Sequence, residues 1–323
     1  MYAWGGSTAD WTNSGSYDFG SARAKYANAA KAAGATGPRN YTRRGVPDMA
    51  LVNPQGKTIS TNSTDPVIIA VDVTGSMNTW PGEIFDRLPL LYETLAKYRD
   101  GVEFAFAAIG DATCDSYPLQ VTDFTKDIKD LEARLKALGC EGGGGGQTME
   151  SYELFGYFMA NHCKTPKATS PFLLIYGDEG FYNEVNAKQV KHYIGDKLQA
   201  GLPARDVWKD VTQRCDTYLL HKPYNEGSSP DIDKRVTAQW AEALGNRQRI
   251  IELPNAERAV DIGMGLIAKH WGEYGDFSKN LNARQKSSRI KASVHQSLRH
   301  IDTNPGAKSV ITRASRLLPA PFT

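Results

Sequence analysis

The apolar positions along this chain alternate between two periods, and each change of period marks an element. Residues 67–71 (Val-Ile-Ile-Ala-Val) are an unbroken, mostly β-branched run, which predicts a strand covered on both faces. Ile84, Leu88, Leu91, Leu95 and Tyr98 then fall on one stripe of an amphipathic helix. Pro81 suits its first turn, and Pro89 lies inside it. The pattern next predicts a strand over 102–109, a short edge segment over 119–124 and a helix over 128–138. A glycine-rich stretch at 141–148 opens a helix through Tyr152, Phe155 and Met159. Further along come a strand at 171–176, helices at 186–200 and 204–214, and a strand at 216–220. A helix at 235–244, a strand at 249–253 and a closing helix at 257–271 complete the pattern. Strands alternating with helices predict an α/β fold, a doubly wound, mostly parallel sheet with helices on both faces.

The two ends of the chain read differently. Residues 1–65 are poor in aliphatics and rich in Gly, Ser, Thr, Asn and Ala; a helix is expected only over 21–33, with Trp4, Trp11, Tyr17 and Phe19 as anchors. From 276 to 323 nine basic side chains face two acidic ones, a balance of +7, which leaves −5 for residues 1–275 of the total of +2. A basic tail can bind nucleic acid, or it can pack along its own acidic domain. The expected division is an N-terminal extension at 1–65, a domain at 66–272 and a basic C-terminal extension at 273–323. With 323 residues, 41% of them hydrophobic, the chain can build a large core. No apolar run has the length of a membrane span, and the polar N-terminus does not read as a signal peptide. Cys114, Cys140, Cys163 and Cys215 form no CxxC pair, so reduced thiols and a cytoplasmic, membrane-free protein are expected.

The chemistry gathers at strand ends. Asp72-Val-Thr74-Gly-Ser76 follows the first strand directly and sets three oxygen donors at alternate positions, as hard divalent cations require. The same residues would also serve an ordinary capped turn. In an open α/β sheet, ligands sit beyond the carboxyl ends of the strands where the strand order reverses. Asp72, Asp111 and Asp178 all fall at such ends, and Thr148 sits in the glycine-rich loop close by. Gly142 to Gly146 lack the Lys-Ser/Thr of a P-loop and are read as a flexible rim loop. Thr74 stands where the acid/base carboxylate of a haloacid dehalogenase-like phosphatase would be, which counts against that chemistry. No base, nucleophile or phosphate-binding lysine is expected to converge on the site. His162, His221 and His270 are read as surface or packing residues.

Together these residues resemble the von Willebrand factor A (vWA) family, from about Val67 to Trp271. The family's metal-ion-dependent adhesion site combines D-x-S-x-S, a Thr in a second loop and an Asp in a third. The resemblance implies a metal site formed by Asp72, Thr74, Ser76, Thr148 and Asp178. It implies Mg²⁺ there, with Mn²⁺ or Ca²⁺ as alternatives, and a carboxylate from a protein partner as the exchangeable ligand. The protein would then be a non-enzymatic interaction module, in bacteria often an adaptor of a MoxR-type AAA+ ATPase. The alternatives are a ribonucleoprotein component, as in Ro-type proteins, using the basic tail, and a metal-dependent phosphatase. Three departures stand out: Thr74 in place of Ser, Glu179 beside the third-loop Asp178, and His221-Lys222-Pro223 where a small glycine-rich turn is common. Only the second of these is expected to alter the site.

Overall fold

A computed structural model describes residues 45–285 and 287–302, together with Asn28 and Ala32. The helix expected over 21–33, its aromatic anchors and the last part of the basic tail otherwise lie outside the described residues. Six strands form the main sheet: β1 (Pro66–Asp72), β2 (Glu103–Ile109), β3 (Leu119–Val121), β4 (Phe172–Gly177), β5 (Asp216–His221) and β6 (Ile250–Glu252). Their spatial order is β6-β5-β4-β1-β2-β3. All neighbours run parallel except β3, which returns antiparallel along β2. This is the α/β sheet that the alternating pattern predicts.

Every residue of β1 is buried, because helices cover both of its faces. Val67, Ile69 and Val71 point into one half of the core with α1 (Trp80–Tyr98). Ile68 and Ala70 point into the other half. The first half also takes α2 (Ile128–Ala137), and the second takes α3 (Tyr152–His162), α4 (Ala204–Arg214) and α5 (Pro230–Leu244). The first is completed by α6 (Ala256–Trp271), α7 (Tyr274–Arg284) and α8 (Ser288–Ser297). Pro81 does begin α1 in its first turn, where a missing N–H costs no helical bond. The C-terminal helices share the core through Phe277, Leu281, Val294, Leu298 and Ile301. Buried Lys269 of α6 donates to the carbonyls of Leu298 at 2.8 Å and Ile301 at 2.7 Å.

Two local expectations need correction. The long helix over 186–200 is instead Ala187–Gln189 followed by a wider turn at Val190–Ile194, which stops at Gly195 with φ +102°. Only glycine adopts that conformation freely, and it ends the helix there. The glycine-rich stretch does not lead straight into α3 either. Met149–Glu150 first pairs in parallel with Gly180–Phe181, tying this loop to the one that carries Asp178.

Strand connectivity places the site. The chain leaves β1 for β2 on one side and later returns to β4 on the other. The order therefore reverses between β1 and β4, opening a crevice at their carboxyl ends. Asp72 ends β1, and Asp178 follows β4 directly.

Candidate metal centre

Asp72 is fully buried and holds the turn that follows it. Its Oδ1 accepts from the Thr74 backbone N–H at 2.9 Å and from the Thr74 hydroxyl at 2.6 Å. Its Oδ2 accepts from the Tyr152 hydroxyl, which α3 delivers from below the crevice. Thr74 Oγ1 lies 3.3 Å from Ser76 Oγ, and Ser76 Oγ donates to Asp178 Oδ1 at 2.9 Å. Two carboxylates and two hydroxyls from different loops thus form one hydrogen-bonded cluster. Burial, and next the charge of Asp178, pushes Asp72 upward. Burial also raises Asp178, against the downward pull of Lys222 and Ser76. Two buried carboxylates this close repel one another, and a shared cation relieves that repulsion.

The glycine run is pinned rather than free. Gly75 N–H donates to Gly143 O at 2.5 Å, and Gly142 N–H donates to Val73 O at 3.1 Å. A Cβ on Gly143 would meet Asp115 Oδ1 at 1.7 Å, so this position is glycine because a carboxylate occupies the side-chain space. That replaces the reading of a flexible rim loop. Thr148 lies beyond this run, and its Oγ1 accepts from Arg235 of α5 at 2.7 Å. Asp72, Thr74, Ser76 and Asp178 are brought together by hydrogen bonds; Thr148 is held by a separate one.

A lysine does reach the site. Lys222 is 1% exposed, and its Nζ donates to Asp178 Oδ2 at 3.0 Å. The cause is register. In the parallel pair β5–β4, His221 lies opposite Gly177, so the next residues, Lys222 and Asp178, emerge side by side. The departure at His221-Lys222-Pro223, expected to leave the ligands alone, therefore touches Asp178. His221 itself pairs with Asp233 at 3.0 Å.

More acid surrounds the cluster. Burial and then the charge of Asp72 push Glu150 up, while burial and the charges of Asp178 and Asp111 push Glu179 up. Asp111 makes its own turn, accepting from Thr113 N–H and Oγ1 at 2.9 and 2.6 Å and from Tyr182 OH. Glu153 of α3 is fully buried; Tyr182 N–H donates to its Oε2 at 3.2 Å, and its Oε1 has no hydrogen-bond partner among the described residues. Burial holds its pKa well above the ordinary 4.5, so the folded protein keeps a proton that the unfolded chain releases. Between the unfolded and the folded pKa, stability then falls as pH rises, by about 1.4 kcal/mol per pH unit from this group alone. Glu153→Gln, which stays neutral, is expected to remove that slope. In urea titrations its advantage over the parent should widen as pH rises above about 5; a constant difference would contradict a buried neutral Glu153.

The donor set fits a hard cation. Among the described residues no group of three or more His, Cys, Asp or Glu side chains is disposed to hold a metal. What the crevice offers is two carboxylates and two hydroxyls, all oxygen, which suits Mg²⁺ or Mn²⁺ with water completing the shell. Among the described residues no helix is long and apolar enough to cross a membrane.

No protein-family model matches this sequence, and no curated protein is matched. Among solved structures, the chain is similar to the pilus adhesin SpaC from Lactobacillus rhamnosus GG in its open conformation. The TM-score is 0.49 and the identity 11%, over 67% of this chain and 31% of that one. It is also similar to proximal thread matrix protein 1 from the mussel byssus, with a TM-score of 0.43 and 9% identity over 66% of this chain and 48% of that one. A form of the same byssus protein with a zinc-occupied MIDAS motif aligns with a TM-score of 0.40 and 11% identity, over 63% and 47%. The chain spans less than half the length of each of these proteins.

Proposed function

We propose that this chain is a protein-interaction module whose binding depends on a divalent cation held by Asp72, Thr74, Ser76 and Asp178, and that it is not an enzyme. The observation that carries the proposal is the Ser76–Asp178 hydrogen bond. It joins the loop after β1 to the loop after β4 across the point where the strand order reverses, and so assembles oxygen donors that are 102 residues apart in sequence. Two carboxylates balance the charge of one Mg²⁺ or Mn²⁺. The ion would supply an open coordination position for a carboxylate of a partner protein, as the vWA resemblance implies. The preference for a binding role over chemistry rests on the vWA resemblance. The narrower role of adaptor to a MoxR-type ATPase rests on the resemblance alone.

Water-proton relaxation with Mn²⁺ tests the open position. Bound Mn²⁺ should enhance relaxation, and an aspartate-containing peptide should reduce that enhancement by displacing a metal-bound water. Enhancement that no carboxylate changes would count against partner binding through the metal.

A further inference from the structure

We infer that Lys222 is a built-in competitor for the cation, its ammonium pairing with Asp178 in place of the metal and leaving that carboxylate when a divalent ion binds. This inference rests on the cation site proposed above and concerns what limits its occupancy.

The ammonium is buried beside a buried carboxylate, with Lys222 1% and Asp178 0% exposed. Its further contacts among the described residues are weak: the Pro223 carbonyl at 3.4 Å, Glu226 Oε1 at 3.8 Å and the Trp80 ring at 5.9 Å. Asp178 is thus the partner that compensates the lysine's desolvation, which a buried charge requires. Asp178 is also the carboxylate through which the loop after β4 would meet a metal. An ammonium on one oxygen of a carboxylate repels a divalent ion on the other, so metal binding favours the state in which the lysine has moved.

A place to move it is present. The side chain of Glu226 is 67% exposed and already lies 3.8 Å from Lys222 Nζ. The turn that carries it holds Asn225 at φ +46° and Glu226 at φ +54°, a left-handed conformation that costs a residue with a Cβ. The segment after Lys222 is therefore strained where it would have to rearrange. With the lysine turned to Glu226 and Mg²⁺ in its place, Asp72 and Asp178 balance the ion and Glu226 is paired.

The test uses the full chain with Mn²⁺ or Mg²⁺ alone as the probe. Lys222→Met keeps the length of the side chain and removes its charge. By calorimetric titration it should bind either ion roughly tenfold or more tightly than the parent, since the competing charge is gone. Equal or weaker binding by a cooperatively folded Lys222→Met, with Asp72→Ala losing the binding that the parent shows, would overturn the inference and leave the cation site standing. No binding by either the parent or Lys222→Met would overturn the site itself. A second measurement needs no variant in the core. In the parent, Lys222 should resist acetylation without added metal and become modified several-fold faster at saturating Mn²⁺, read by mass spectrometry of its peptide. An unchanged or slower rate in protein shown to hold Mn²⁺ would overturn the exchange.

Discussion

Truncation after Gly275 is expected to leave a chain that no longer unfolds cooperatively. The segment it removes carries Phe277, Leu281, Val294 and Leu298, all 0% exposed, and Ile301 at 6%. Burying each such side chain contributes roughly 1.5–3 kcal/mol, so five of them amount to about 8–15 kcal/mol, the scale of a whole domain's stability. The cut also strands Lys269, whose ammonium donates to the Leu298 and Ile301 carbonyls. It would be left in an opened face of α6 without those acceptors. Urea unfolding followed by circular dichroism should show a broad, early transition for the truncated chain. A midpoint within the error of the parent would mean that these helices lie on the domain without supporting it. The +7 charge of residues 276–323 invites a reading as a detachable, polyanion-binding tail. The buried apolar positions give at least the part up to residue 302 a structural role.

Gly177→Ala should be strongly destabilising. A Cβ there would stand 2.0 Å from the Tyr152 hydroxyl and 2.9 Å from its Cζ. Tyr152 is fully buried, edge-on to Trp240 at 5.3 Å, and donates to Asp72. It cannot step aside without disturbing both neighbours. Overpacking of this kind costs roughly 3 kcal/mol, and the buried hydrogen bond to Asp72 adds about 1–2 kcal/mol when broken. Tyr152→Phe removes the atom that clashes most. The double variant should therefore be more stable than Gly177→Ala alone, although the 2.9 Å contact to Cζ keeps the rescue partial. Chemical denaturation of the two single variants and the double variant gives the coupling directly, and strict additivity would contradict the contact.

β1 and β4 were legible because a doubly buried strand has to be an uninterrupted apolar run, and Val67–Val71 and Phe172–Tyr176 are such runs. That Asp72, Thr74, Ser76 and Asp178 would come together was legible because loops at strand ends near a reversal of strand order face one crevice. Lys222 was not legible in that way. Its place follows from the pairing of His221 with Gly177, a fact about two strands that the β5 sequence does not carry alone. A charged residue just past the end of the strand beside Asp178 was the available signal. The glycine run misled for a related reason. Glycine is equally the residue of a free loop and of a tight approach, and the nearness of Asp115 to Gly143 and the backbone bonds to Val73 and Gly75 distinguish them. The wide turn at Val190–Ile194 was hidden by an apparently helical stretch that Gly195 cuts short.

The central claim is that Asp72 and Asp178 hold a divalent cation at the head of the sheet. Calorimetric titration of Mg²⁺ and Mn²⁺ into the parent and into Asp72→Ala tests it most directly, with urea unfolding to confirm that both proteins are folded. The account predicts saturable binding of one ion per chain in the parent and none in Asp72→Ala. Equal binding by the two folded proteins would contradict it.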